Sequence, residues 1–345
     1  MRKFVKIIVL AAAMLPSLAH AQWNDGLSGL FSEMNEHDVF NRLEIAANVG
    51  TTGVGLELAS PITKWTKLRV GVDYMPKFTI PMTFGLDSYV DGQISDKFNR
   101  IQELMYEMSG MEIDKDIEMQ SKPTMTTLRV LVDVYPFRNR HWHFTAGFFY
   151  GGNSVGKSLN KMQEMPSLLT LNMYNRFYDD FKDIPTSSPE AFQEYIIDNP
   201  INFPIIGEQW IDPDMDSPDF QMFYDKIHSY QTYGELGIHV GDHKDGTPYM
   251  MHPDSDGTVS AKAKVWRFRP YVGFGYGGAI SSDGRWTASF DAGVQFWGGA
   301  PKVTTHDGTV LNDLVDLRGK VDSYMNLMKA LVVYPTIDFR IAYSF

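Results

Sequence analysis

Repeated stretches of this chain alternate apolar and polar residues with a period of two, and no other feature constrains the fold as tightly. In YPTIDFRIAYSF, the last twelve residues, Ile337, Phe339, Ile341, Tyr343 and Phe345 share one face. Thr336, Asp338, Arg340, Ala342 and Ser344 share the other. That is the side-chain period of a β-strand. LRVGVDY sets Leu68, Val70, Val72 and Tyr74 against Arg69, Gly71 and Asp73, and TLRVLVDVY sets Leu128, Val130, Val132 and Val134 against Arg129, Leu131 and Asp133. HFTAGFFYG, VWRFRPYVGFGYGG, RWTASFDAGVQFW and GELGIHVGD behave alike, placing Arg267, Arg269, Asp291, Glu235 and His239 on polar faces. Two solvents account for such a pattern. In a soluble sheet the apolar face is the core; in a membrane barrel it meets lipid and the polar face lines a lumen.

Several features favour lipid. The start, MRKFVKIIVLAAAMLPSLAHA, has Arg2, Lys3 and Lys6, an apolar run from Ile7 to Leu15 and a small-x-small site at Ala19–Ala21. This predicts a secretory leader over 1–21. Its apolar run is shorter than the ~20 residues a spanning helix needs, and no later stretch reaches that length. The apolar strand faces end in aromatics (Tyr74, Tyr150, Tyr276, Phe296, Phe345), as girdles at two membrane interfaces require. The polar faces carry glycines, which leave room for long arginines in a narrow interior. The expected fold is therefore all-β, an antiparallel transmembrane β-barrel.

Composition removes other functions. The chain has no cysteine, so disulfide frameworks, cysteine–zinc sites and CxxC redox chemistry are excluded. A formal net charge of −11 argues against a nucleic-acid partner. No P-loop, GxSxG or HExxH motif occurs, and no cofactor, metal or catalytic residue is assigned. DPDMDSPD, with Asp212, Asp214 and Asp216, begins like a calcium loop, but has Ser217 where glycine is needed and Phe223 where glutamate is needed. It reads as a solvated acidic loop, with a loose divalent-ion contact to lipopolysaccharide phosphates as the alternative. HPDSDG (252–257) reads as a turn.

Strand number rests on LEIAANVGTTGVGLELASPI. Its phase flips across Gly50–Gly53, so it is one bulged strand or two joined by a tight turn. The first gives eight strands in all. The second gives more, with TIPMTFG (79–85) or PYMMHP (248–253) supplying a partner for an even count. The organisation expected is a leader (1–21), an N-terminal segment (22–40) and a barrel over 41–345 with insertions at 86–122, 153–227 and 302–332. Helical spacing of Phe98, Ile101, Leu104 and Met105, and Ser188-Pro189-Glu190 ahead of AFQEYII, predict a helical, loop-rich cap over one barrel mouth. In the third insertion Val310, Leu314, Leu317, Val321, Tyr324, Met328 and Leu331 form one helical stripe. The stripe suits a helix across the barrel end or in its lumen, or one that pairs with a partner.

In order and spacing, VGTTGVGLELASPITKWTKLRVGVDY, TLRVLVDVYPF, HFTAGFFYGGN, RPYVGFGYGG, WTASFDAGVQFWGGAPKV and VVYPTIDFRIAYSF resemble a family of Gram-negative outer-membrane β-barrel proteins, mostly without assigned function. The resemblance covers about half the mature chain. It implies a fold and an outer-membrane location, but no chemistry. It also implies that Phe339, Ile341, Tyr343 and Phe345 form the C-terminal signal read by the barrel-insertion machinery, and that outer-membrane lipid and lipopolysaccharide surround the barrel.

The polar faces then define a lumen charge network of Arg69, Asp73, Arg129, Asp133, Glu235, His239, Arg267, Arg269, Asp291, Asp338 and Arg340. Charges in a closed lumen must pair, and an eight-stranded interior is only wide enough to be filled by side chains. The function expected is that of a non-enzymatic barrel with a filled lumen, acting as a structural or surface-interaction protein through its cap. A narrow, porin-like diffusion channel is the alternative. A lipid-modifying enzyme using His239 or His143 as base is a third class, for which no serine can be placed beside the histidine.

Overall fold

The computed structural model describes residues 40, 42–203 and 209–345; the expected leader and nearly all of the 22–40 segment lie outside them. In chain order the elements are β1 (Glu44–Gly50), β2 (Gly53–Thr63), β3 (Thr66–Tyr74), β4 (Ile80–Val90), β5 (Gln93–Ser95), α1 (Phe98–Ser109), β6 (Asp116–Pro123), β7 (Thr126–Val134), β8 (Trp142–Gly151) and β9 (Ser154–Asn160). There follow α2 (Met165–Phe181), α3 (Pro189–Asp198), β10 (Asn202–Phe203), β11 (Gln209–Trp210), α4 (Pro218–Tyr233), β12 (Glu235–Asp242), β13 (Pro248–Met251) and β14 (Ser260–Lys264). The chain closes with β15 (Phe268–Ala279), β16 (Trp286–Phe296), β17 (Lys302–Thr305), α5 (Gly319–Ala330) and β18 (Val333–Ser344).

Eight strands close an antiparallel barrel in the order β1-β18-β16-β15-β8-β7-β3-β2. The seam is made by the first and last strands, from Glu44 opposite Ser344 to Gly50 opposite Asp338. The phase flip at Gly50–Gly53 is a tight turn and not a bulge. Gly53 has φ 106°, and a Cβ there would collide with the Tyr74 carbonyl oxygen, so only glycine fits. Eight strands are reached with altered membership: the turn adds one, and GELGIHVGD leaves as β12. PYMM and IPMTFG are also strands, but of a second sheet.

Outward residues of the barrel are apolar and exposed, among them Leu56 (66%), Val49 (54%), Phe274 (51%) and Phe290 (50%). Aromatics mark both ends of this belt. Trp65, Trp142, Tyr276, Trp286 and Tyr343 lie at the short-turn end; Tyr74, Tyr150, Trp266, Phe268 and Phe296 lie at the other. An apolar belt bounded by two aromatic girdles on a closed ladder is the wall of a transmembrane β-barrel. Among the described residues no helix is long and apolar enough to cross a membrane.

All three insertions leave from one end and build a second antiparallel sheet, β13-β12-β4-β6-β9-β14-β17, with β5 beside β4. The order β4-β6-β9-β14-β17 repeats that of the barrel strands they extend, β3-β7-β8-β15-β16. Backbone hydrogen bonds cross the joint, from Thr124 to Val155 (3.1 Å), Gly151 to Arg267 (3.1 Å), Val265 to Asn153 (2.8 Å) and Trp266 to Trp297 (3.1 Å). One barrel wall therefore continues beyond the membrane band. Helices cover its inner face around a core that includes Phe98, Ile101, Tyr174, Phe192, Phe220, Phe223, Leu236 and Met325.

The expected helical cap is thus a sheet domain with helices on one side. Its excursions from the barrel run over 75–125, 152–267 and 297–332, wider than 86–122, 153–227 and 302–332, because β4, β6 and β12–β14 belong to it. The predicted helices at Phe98 and Ser188 are present; Ser188 caps α3 by accepting from the Ala191 backbone N–H (3.3 Å). The stripe from Val310 to Leu331 is not one helix. Gly319, at φ 56°, opens α5, while Val315 pairs with Asp242 in an extended bridge. Leu311 in a 3-10 turn, Leu314 in extended chain, and Val321 and Met325 in α5 reach the same core by three different backbone forms.

Candidate functional site

The lumen is built by inward residues whose backbone positions the period of two dictates. At its centre Glu57, 2% exposed, meets three guanidinium groups: Arg340 Nε at 2.7 Å, Arg129 Nε at 3.1 Å and Arg69 Nε at 3.3 Å. Arg69 Nη1 reaches Asp291 (3.0 Å) and Asp133 (3.3 Å). His143 Nε2 lies 2.8 Å from Asp291, and the Thr145 hydroxyl donates to Asp133 at 2.8 Å. Towards the second sheet, Arg129 Nη1 donates to Asp338 (2.8 Å), and Asn48 donates to both Asp73 (2.9 Å) and Asp338 (3.2 Å). Towards the short turns, Glu44 accepts from Arg340 (3.0 Å) and Lys67 (2.8 Å).

Glycine makes the packing possible. A Cβ on Gly273 or Gly293 would collide with the Tyr271 hydroxyl, so these two let that ring fold into the lumen. Asp133, His143 and Asp291 bring their donor atoms within 4.8 Å of one another, as a metal site would. The Arg69 guanidinium already sits against both carboxylates, so this donor set is spent on an internal cation.

The two ends of the lumen differ. At the short-turn end a cavity of about 200 Å³, lined by Glu44, Lys67, Tyr135, His141 and Ser289, reaches down to Arg69 and Arg340. At the other end Met125, Val265 and Trp297 are buried against Met75, Val155 and Tyr334. Trp297 stacks on Tyr334 at 4.4 Å, and the Tyr334 hydroxyl donates to the Thr51 carbonyl at 2.6 Å. Charge fills the middle, and an apolar cluster lies at the end that meets the second sheet.

Of the residues read from sequence as lumen charges, Arg69, Asp73, Arg129, Asp133, Asp291, Asp338 and Arg340 come together. Arg269 faces inward and is fully buried, but donates to the carbonyls of Trp266 (2.8 Å) and Gly152 (2.5 Å), away from any carboxylate. Arg267 is exposed at the joint between the sheets. Glu235 and His239 are on β12, outside the barrel. The side chain of Glu235 meets His252 (3.2 Å), and the ring nitrogens of His239 face Asp242 (2.9 Å) and Asp87 (3.9 Å), with no hydroxyl among its partners in the described residues. Glu57, Glu44, Asn48 and His143 complete the network and were absent from the sequence-derived set. Once β1 and β2 are seen as separate strands, GVGLELA places Gly55, Glu57 and Ala59 inward, which is the signal that could have found the hub.

In the acidic loop, Asp212 accepts from the backbone N–H of Asp214 (3.0 Å) and Asp214 from that of Asp216 (3.1 Å). These carboxylates shape successive turns into the Ser217 cap of α4. A second cavity of about 220 Å³ lies between α5 and the inner sheet face, lined mainly by Met82, Phe84, Met119, Met251, Val321, Met325 and Met328.

No protein-family model matches the chain, and no curated protein matches it. Among solved structures it is similar to Acinetobacter baumannii CarO2, at 12% identity and a TM-score of 0.36, covering 88% of this chain and 98% of that one. CarO of the same organism gives 11% identity and a TM-score of 0.36 over 88% and 98% of the two chains. A major outer membrane protein from Thermus thermophilus gives 10% identity and a TM-score of 0.28, again over 88% and 98%. At such low similarity, the fold is defined by the closed ladder and apolar exterior of this chain itself.

Proposed function

We propose that this protein is a non-enzymatic outer-membrane barrel with a closed lumen, acting as a structural or surface-interaction protein through the domain its insertions build. The predicted leader and the apolar belt support export to an outer membrane. Outer-membrane barrels carry short turns on the periplasmic side and long connections outside, so the domain is assigned to the cell exterior. The observation that carries this reading is the hub at Glu57. Three arginines converge on one buried carboxylate, and a path through the barrel must break pairs whose loss leaves uncompensated buried charge. The short-turn cavity favours a second reading, a narrow channel, in which the network and the apolar cluster both move aside. Single-channel recording of the refolded protein in a planar bilayer, after heat-modifiable gel migration has established a folded barrel, separates the two. A silent, inserted barrel is expected. Steady openings of one size would overturn closure.

A further inference from the structure

The outer face of the second sheet carries an arrangement that costs stability without an evident internal return. Lys157 on β9 stands directly opposite Lys122 on β6 and Lys262 on β14, so three lysines form one line across adjacent strands. Two residues nearer the barrel, Lys264 on β14 stands opposite Lys302 on β17. Like charges directly opposite one another in a sheet repel. All five are exposed, and none is within ion-pair distance of a carboxylate among the described residues. The nearest acid along β6 on this face, Glu118, is already paired with Lys161.

The position of this lattice names its counter-charge. β6 runs into β7 with its alternation unbroken, and from β14 to β15 Lys262, Lys264, Trp266 and Phe268 keep one exposed phase, so the lysine face continues the lipid-facing wall. Trp266, 63% exposed, and Phe268, 50% exposed, end that wall. Lys264 is two residues beyond Trp266, about 7 Å along the strand, and Lys262 about 14 Å. Head groups begin at the edge of the hydrocarbon and extend several ångströms outward. Lys264 and Lys302 therefore stand at head-group depth, and the Lys122–Lys157–Lys262 line stands one row further out, with long side chains that can reach down to it, above a surface shaped for acyl chains, on a chain whose net charge is −11.

We infer that the Lys122–Lys157–Lys262 line, with Lys264 and Lys302, is a binding site for the phosphate groups of an acylated, phosphorylated glycolipid of the outer leaflet. Its acyl chains lie against the barrel wall below. This rests on the outer-membrane placement with the second sheet outside. Phosphate oxygens between the lysines turn mutual repulsion into a shared attraction, and apolar contact with Trp266 and Phe268 distinguishes a lipid from a soluble anion.

The test uses the full-length refolded protein in detergent micelles, titrated with bisphosphorylated hexa-acyl lipid A, and the Lys122→Gln/Lys157→Gln/Lys262→Gln variant. A cation near an anionic lipid surface contributes roughly fivefold in affinity. The triple variant is thus expected to bind on the order of a hundredfold more weakly, with a shallower salt dependence. Wild type is expected to prefer the bisphosphorylated lipid to its dephosphorylated form, and inorganic phosphate to compete poorly. In lipid-free micelles the variant is expected to melt at or above the wild-type temperature, because repulsion is relieved; this excludes misfolding as the cause of lost binding. Equal affinity of variant and wild type, equal binding of the dephosphorylated lipid, or full displacement by millimolar inorganic phosphate would each overturn the site. Lipid titration does not depend on conductance, so failure of this site and failure of the closed-lumen reading are distinguishable.

Discussion

The barrel and the domain above it share strands of one continuous sheet, yet their polarities are inverted. In β7 the inward residues are Thr127, Arg129, Leu131 and Asp133, three of the four polar, while Leu128 and Val134 face outward, exposed. In β6, a few residues earlier along the same line, Ile117 and Met119 face inward and Lys122 faces outward. The inversion occurs at the Met125–Val265–Trp297 layer. Strand geometry fixes which side a residue takes; the medium on that side, lipid below and water above, decides its chemistry. The lumen is thus a polar core held by paired charge, and the second domain is an apolar core held by packing.

Removing one side chain from each core should break the two halves differently. The largest effect is expected for Glu57→Gln, which leaves three buried guanidinium groups without their shared carboxylate. A loss toward the upper end of about 3–5 kcal/mol is expected, read as a shifted urea midpoint of the barrel or failure to develop heat-modifiable migration. Phe220→Ala, at a position with no exposure, should cost about 3–5 kcal/mol by cavity formation. Its loss should fall on the second domain: limited proteolysis should cut the insertions while the barrel keeps its heat-modifiable migration. If both transitions shift together, the two cores are one cooperative unit and the comparison fails.

The smallest effect is a pH dependence confined to the second domain. Burial alone would raise the Asp307 carboxyl, but hydrogen bonds from the Thr305 hydroxyl (2.5 Å), the Thr309 backbone N–H (2.9 Å) and the Tyr249 hydroxyl (2.7 Å) hold it below the usual carboxylate range. A depressed folded value contributes stability that is present above the unfolded value, near 4, and lost as pH falls through the folded one. Thermal melts of the second domain should therefore weaken more steeply with acidification below about pH 4 in wild type than in Asp307→Asn. Identical slopes would remove Asp307 from the account.

The same contrast explains what the sequence could reveal. Barrel strands were legible because lipid outside and charge inside make alternation strong, as in TLRVLVDVY. The second sheet was legible only in GELGIHVGD, TIPMTFG and PYMMHP, because strands such as SAKAK have only alanine as their apolar half. Period two also cannot say which apolar medium a face meets. GELGIHVGD alternates as well as any barrel strand, but Leu236, Ile238 and Val240 enter the upper core, taking Glu235 and His239 with them. Arg267 failed for another reason: it sits at the joint between the sheets, where it is exposed. Seven of the expected charges meet in the lumen because one alternation phase, carried around a closed ladder, points them at one axis. The hub Glu57 escaped because its strand was not separated from β1 at the Gly50–Gly53 turn.

Closure of the lumen is the central claim, and the absence of cysteine from the chain makes a direct test clean. Single cysteines at Ser289, which lines the short-turn cavity, and at Thr127, 2% exposed on the far side of Arg129, would be offered a charged methanethiosulfonate in the inserted protein. The account predicts rapid modification of Ser289→Cys and none of Thr127→Cys while the barrel stays folded. Modification of both at similar rates would mean that water and ions pass the arginine network, and the lumen would have to be counted as open.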